Sequence, residues 1–388
     1  MEDADGVPPY LKGLSDQACS LLVQTDADSE EKLNQQITQI TNSLDSIPTE
    51  LPFSFTDDPK EYNVYWKIRK GLYPSVGAMR KTGTTVIIED VTFPIEKMAE
   101  ATLALTDLFA KYHYDEAVIF GHALEGNIHF VFNQDFNGQS EIDRYEQFME
   151  DLSILVVDRF EGSLKAEHGT GRNMAPYVKK QWGEEAYEIM KNIKAIFDPK
   201  DMLNPGVILN NDPKVHLKNL KPMPEAHETV DKCTECGFCE HACVSHGMTL
   251  SPRQRITVYR EMQRLEKSGE QPEILASLKK DYDYKALQTC ATDGLCAIAC
   301  PVGIDTGKLV KHLRHENLTQ KDYKYANWVV PKMQKVESYM RFALNTANGT
   351  HNLLGTKNMT KMTSGLRKIS GNNIPKWNPY LPKGAPKI

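Results

Sequence analysis

The sequence predicts an α+β protein, with an antiparallel sheet covered by helices and a mostly helical second part behind it. Three observations lead there. Strand-like and helix-like runs alternate through the first half of the chain. The stretch Ala117–Phe132 places two apolar, β-branched and aromatic runs around a turn, which reads as a hairpin. Beyond Pro213, Pro222 and Pro224 the pattern changes to charged, helix-spaced segments set between two cysteine runs.

Taken in order, residues 1–16 read as a loose lead-in. Ala18-Cys19-Ser20-Leu21-Leu22-Val23 reads as a strand with Cys19 as a buried core residue, and Ser29 to Leu44 as a helix. Asp58-Pro59 is suited to start a second helix, since Asp caps and Pro fits the first turn; it carries Trp66-Lys67-Ile68-Arg69-Lys70-Gly71. Lys81 to Val91 reads as a turn then a strand, and Pro94 opens a helix to about Tyr112. After the hairpin come helices at about 140–159 and at Trp182–Asp198, then the turn Asn204-Pro205-Gly206. Residues 213–228 form a linker, and Ser251–Asp283 and Thr306–His315 are helix-like. In the tail, Val329, Met333, Val336, Met340 and Ala343 mark an amphipathic helix, with extended chain expected after it. The domains are therefore 1–16, 17–212, 213–228, 229–318 and 319–388.

Composition is that of a soluble globular chain, and no apolar run approaches the roughly 18 residues of a membrane helix. The acidic N-terminus carries no signal-peptide core, so a cytoplasmic protein is expected. Charge is unevenly spread: residues 1–60 hold twelve acids against three bases, and residues 319–388 twelve bases against two acids. No base-reading motif accompanies the basic tail, which points away from nucleic acid and towards an acidic partner or plain solvation. Gly169-Thr170-Gly171 is too short for a phosphate cradle, and no G-x-G-x-x-G follows a strand.

The hairpin carries the chemistry. With Glu125-Gly126 as its loop, His122 pairs with His129, close enough for both imidazoles to reach one metal ion. Two histidines on a sheet are equally compatible with hydrogen-bonded core residues. Lys165-Ala166-Glu167-His168-Gly169 adds a carboxylate and a third imidazole. Two His and a Glu form a divalent-metal set with positions open for substrate. In extended chain Glu167 and His168 face opposite ways, so one ligates and the other stands free as a base; spacing leaves open which.

Cys233, Cys236, Cys239 and Cys243 follow C-x2-C-x2-C-x3-C, an iron–sulfur run. Forty-seven residues on, Cys290, Cys296 and Cys300-Pro301 keep the same frame with Asp293 in the second cysteine's place. The fourth cysteine of each run serves the other cluster in two-cluster proteins. Cys233, Cys236, Cys239 and Cys300 then hold a 4Fe–4S centre. Cys243, Cys290 and Cys296 hold a second, with Asp293 as an oxygen ligand or with no fourth ligand, as 4Fe–4S or 3Fe–4S. Val244 replaces the proline expected after the first run.

The pattern Gly121-His122-Ala123-Leu124-Glu125-Gly126-Asn127-Ile128-His129, then Glu167-His168-Gly169, then Leu203-Asn204-Pro205-Gly206 resembles the C-terminal half of FAD-linked oxidases of the vanillyl-alcohol-oxidase type. The resemblance runs over roughly residues 17–210. It implies a ferredoxin-like cap domain, with His122, His129 and Glu167 as ligands of Zn, Mn or Fe and His168 as the base. Arg69 is expected to hold a substrate carboxylate, with Arg80 and Lys81 behind it, and Asn127 and Asn204 to lie by the flavin. Where family members place a lysine before the Glu89-Asp90 strand, this chain has Ile88.

The second part resembles the α-helical ferredoxin of succinate-dehydrogenase-type iron–sulfur subunits. The family holds the FAD pyrophosphate on a separate N-terminal domain, so a piece of a longer enzyme or a subunit of a split one is expected. The implied substrate is a D-2-hydroxy acid, D-lactate first, with glycolate or D-2-hydroxyglutarate as alternatives. The implied partners are a FAD-binding domain or subunit and a downstream electron acceptor, which would also place the protein peripherally at a membrane. A non-catalytic electron-transfer subunit is the rival reading.

Overall fold

The computed structural model describes residues 8–11, 13–15 and 18–386; most of the lead-in lies outside them. The chain is α+β, with a small antiparallel sheet and many helices. It divides into two compact units at His312/Leu313.

In the first unit, α1 (Glu30–Leu44) is capped by Ser29, and α2 (Pro59–Met79) by Asp58, whose carboxylate accepts from Lys60 N. Both match the sequence reading. Three strands follow: β1 (Thr85–Thr92), β2 (Val118–His122) and β3 (Asn127–Gln134), ordered β1-β3-β2 and all antiparallel. Between β1 and β2 lies α3 (Met98–Lys111), which buries Ala101, Ala104, Leu105, Leu108 and Phe109. Next, α4 (Gln139–Ser153) buries Tyr145, Phe148, Met149 and Leu152 at the same helical spacing. These two stripes meet Ile128, Phe130 and Phe132 from one face of β3, and the rings of Phe109 and Phe148 stack at 5.6 Å. Each such ring removed from water contributes about 1.5–3 kcal/mol. The sheet is thus fixed from one side, and its other face is free for polar groups. Then α5 (Val178–Phe197) runs to Asp198, broken at Gly183.

The expected strand at Ala18–Val23 does not form. The segment pairs with no strand, Leu21, Leu22 and Val23 are exposed, and Cys19 is an exposed thiol, not a core residue. An apolar run becomes a strand only where a neighbouring edge accepts it, and that is a tertiary condition.

The cysteine-bearing segment belongs to the same unit. It is helical apart from its cysteine-bearing loops: α6 (Pro252–Ser268), α7 (Pro272–Tyr282) and the short α8 (Leu295–Ala299), with α9 (Thr306–Glu316) running across the division between the units. Ser251 and Gln254 form a reciprocal capping box at the start of α6.

The second unit holds α10 (Gln320–Val329), a 3-10 turn at Val330–Lys332 and α11 (Met333–Ile369). The amphipathic segment is therefore interrupted where Pro331 lacks an amide hydrogen. Extended chain was expected beyond Ala343, yet helix continues to Ile369, with one break at Gly355 where φ is 71°. No proline occurs between Met333 and Ile369, so nothing else stops it. No helix among the described residues is long and apolar enough to cross a membrane.

Candidate functional site

The hairpin forms with a different register. His122 lies opposite Asn127, and His129 opposite Phe120, because the loop is the four-residue turn Ala123–Gly126. A shift of two residues in the pairing keeps side-chain parity, so the two imidazoles still share one face, now diagonally, with ring centroids 5.3 Å apart. At Gly121 and Gly126 the space is taken by backbone and is not left for a ligand. Backbone approaches there: a Cβ on Gly121 would lie 2.1 Å from the Asn127 carbonyl oxygen, and one on Gly126 would lie 2.0 Å from that of Phe93. Gly126 also takes a left-handed φ of 63°, the conformation it adopts most readily.

The face opposite the aromatic core carries the site. Asp90 of β1, His129 of β3 and Phe120 of β2 form one row across the sheet, and His122 and Asn127 the next. The loop Lys165–His168 closes over it. The Glu167 Oε1 lies 2.9 Å from His129 Nε2 and 3.5 Å from His122 Nε2. The His168 ring stacks on His129 at 4.9 Å, nearly parallel. His122, His129 and Glu167 each offer a ligand atom within 4.8 Å of the others, which fits a divalent ion. Asp90, His129 and His168 form a second such group, but Asp90 is already bonded elsewhere. Burial, reinforced by His168, pushes His129 below the ordinary imidazole value and keeps it neutral, the ligating form. His129 Nδ1 and Asn127 Oδ1 are buried without partners, and both sit at the floor of this site.

Asp90 holds the loop, and sequence reasoning passed over it. It is fully buried, and one carboxylate oxygen accepts from three successive amides, Ala166 N at 3.2 Å, Glu167 N at 2.7 Å and His168 N at 3.0 Å. Burial alone would raise its pKa; the amides of His168 and Glu167 and the Lys165 ammonium outweigh that and hold it below the carboxylate range. Lys165 pairs with both Glu89 and Asp90, and Asn173 donates to Glu89. Its ammonium thus lies against β1 beside Ile88, though it comes from a distant loop. An acidic pair inside a strand was the one available signal.

Arg69, on α2, reaches the rim: its Nη2 is 3.4 Å from His122 Nε2 and its guanidinium lies over Phe120. Arg80 does not. All five of its N–H groups donate to backbone carbonyls, those of Gly77, Thr84, Asp231, Lys232 and Cys233, at 2.5–3.1 Å. The expected substrate contact is corrected: no N–H remains to bind a carboxylate. Asn204 is exposed in a left-handed turn, φ 50°, joined to Gly171 through Ile208.

Cys233, Cys236, Cys239 and Cys300 line one cavity. Burial, with Cys233 and Cys300 close by, pushes the Cys239 thiol up to about 12. Ser245, two residues after Cys243, donates through Oγ to the carbonyl of Thr289, which precedes Cys290, at 2.6 Å. Asp293 is exposed and accepts from Leu295 N, while Asp305 lies 3.9 Å from Cys296 Sγ. The charged helix α6 buries Arg255 and Arg260.

Residues 229–304 match the 4Fe-4S dicluster domain. The chain is 33% identical over 138 residues to the glycolate oxidase subunit GlcD of Bacillus subtilis, covering 36% of this chain and 29% of that one. It is 31% identical over 186 residues to a mitochondrial D-lactate dehydrogenase (cytochrome) of Arabidopsis thaliana, covering 46% and 31%. Similarity to the D-2-hydroxyglutarate dehydrogenase of Haemophilus influenzae is 24% but extends over 340 residues, 73% of this chain and 33% of that one. The chain spans about a third of the length of these relatives. Residues 2–208 match the family of FAD linked oxidases, C-terminal domain, and with more than half its length in that match the chain belongs to this family.

Proposed function

We propose that the protein oxidises a D-2-hydroxy acid, D-lactate first, with a flavin on a separate FAD-binding domain or subunit as hydride acceptor and iron–sulfur centres as the exit for electrons. The observation that carries this is the convergence of two imidazoles and a carboxylate, with a third imidazole stacked on them. His122, His129 and Glu167 would hold a divalent ion, Zn, Mn or Fe. When bound, the ion would supply Lewis acidity at the substrate hydroxyl, and a flavin would supply the hydride acceptor. Arg69 is placed to receive the substrate carboxylate at the rim, a match for the guanidinium fork. His168, free of the ligand set, takes the hydroxyl proton, and Asp90 holds its backbone in place. Asn127 and Asn204 are assigned to the flavin side. The substrate thereby loses a proton to His168 and a hydride to the flavin, and leaves as the 2-keto acid.

Cys233, Cys236, Cys239 and Cys300 are assigned to one 4Fe–4S centre, and Cys243, Cys290 and Cys296, with Asp293, to the other. The landing surface for a separate flavin domain is assigned to α5, where Ile189, Ile193, Ile196 and Phe197 are exposed at helical spacing, followed by exposed Met202 and Leu203. The division at 17–212, 213–228, 229–318 and 319–388 follows the same assignment. Co-expression with a flavin-binding partner should give D-lactate-dependent dye reduction, abolished in His168→Ala with bound metal retained. Activity unchanged in that variant removes His168 from its role. Iron and electron paramagnetic signals without any hydroxy-acid activity favour the electron-transfer subunit instead.

A further inference from the structure

We propose that two buried arginines are the counter-ions of the two iron–sulfur centres, Arg80 for the first and Arg255 for the second, and that they raise the centres' reduction potentials. The inference rests on the cysteine assignment above.

Arg80 is 7% exposed, and among the described residues no carboxylate lies within ion-pair range of it. Its partners are carbonyl oxygens, and three of them belong to Asp231, Lys232 and Cys233, the residues that lead into the first ligand. The neighbouring cations do not release a carboxylate for it. Glu235 is shared by Arg260 and Lys221, and Asp231 turns its carboxylate to the amides of Ala226 and His227. Arg260 itself donates to the Cys233 carbonyl at 3.0 Å, the same distance as Arg80. A charge removed from water without an opposite charge is expensive to keep, and dipoles compensate it only in part. The missing anion is the centre beside it, because four thiolates leave a 4Fe–4S core with net negative charge.

Arg255 repeats the arrangement independently. It is 1% exposed and the largest fully buried side chain. It donates to Ala286 O at 3.1 Å and Ser245 Oγ at 3.2 Å, and its Nη1 lies 3.6 Å from the sulfur of Cys243. No carboxylate pairs with it among the described residues. Each centre therefore has one buried guanidinium from outside its own ligand loop that no carboxylate among the described residues pairs with. Taking up one electron makes a centre more negative, so a fixed buried cation favours the reduced form.

The test uses the full chain, loaded with iron and sulfide under anaerobic conditions and titrated by electron paramagnetic resonance. Arg80→Gln should load iron as the parent does but shift the ratio of reduced to oxidised first centre at least tenfold towards oxidised, a fall of about 59 mV for one electron. Arg80→Lys, which keeps the charge, should shift it far less. Arg255→Gln should move the second centre and leave the first in place. Equal shifts in the Gln and Lys variants, or none in Arg80→Gln, would overturn the proposal. Should Arg80→Gln fail to load, Arg80→Lys decides: parent-like iron content and potential support the charge, and a lowered potential with the charge retained refutes it. A parent chain that takes up no iron would instead remove the cysteine assignment itself.

Discussion

Replacing Asp90 tests the construction of the site most directly. In Asp90→Ala, three amides lose their shared acceptor, at 3.2, 2.7 and 3.0 Å. A hydrogen bond to a charged acceptor contributes about 1.5–3 kcal/mol, so three could total several times that. Two considerations reduce the sum. Ala166 and Glu167 are exposed, so water can reach their amides once the carboxylate is gone, and Lys165 keeps Glu89 as a partner. The expected loss is about 3 kcal/mol, with about half of that for Asp90→Asn, which keeps an oxygen but not the charge. Urea unfolding followed by near-ultraviolet circular dichroism of the Phe109–Phe148 cluster would measure it, with unchanged slope. The sign with pH is also set. Because Asp90 is held below its ordinary value, its contribution is complete above about pH 4 and fades as pH falls through the lower folded value. The gap between parent and Asp90→Asn should narrow below about pH 4. Losses under about 0.5 kcal/mol in both variants would refute the reasoning.

Other outcomes follow from single contacts. Gly121→Ala should cost about 2–3 kcal/mol, since the new methyl group would meet the Asn127 carbonyl; an unshifted melting temperature would contradict the close approach. Calorimetric titration with zinc or manganese should show one divalent ion, with affinity lowered on the order of 100-fold in His129→Ala and in Glu167→Gln. Equal affinity in all three proteins would dismiss the ligand set. Asp198 lies near 2, below its ordinary 3.8, because Lys194 and the amides of Met202 and Leu203 bind its carboxylate. The turn it closes should stay ordered above about pH 4 and loosen between there and pH 2. Amide exchange at Leu203 reports this, and protection already lost at pH 5 would be the contrary result.

Local chemistry made the larger elements legible. The helices that carry the stripes Ala101–Leu108 and Tyr145–Leu152, the Ser29 and Asp58 starts and the β2–β3 hairpin were all readable because each depends on residues close by in the chain. The shared face of His122 and His129 was legible for a related reason: sheet parity survives an error of two in register. What sequence could not show was decided by distant partners. Gly126 accepts from Phe93 N and so widens the turn, which moved His122 from His129 to Asn127. Leu21–Val23 found no edge, and Arg80 met carbonyls some 150 residues away. Asp90 and Arg255 escaped notice because a buried charge looks like a solvated one until its surroundings are known.

The Arg80 joint bears on how this protein can be taken apart. A cut in the proline-bearing linker severs the covalent chain but leaves a folded seam, because one side chain at the end of α2 anchors the threshold of the cysteine run. Chimeras that exchange the N-terminal half for that of a relative must therefore transplant the helix end together with its receiving carbonyls, or the graft will be unstable at that junction.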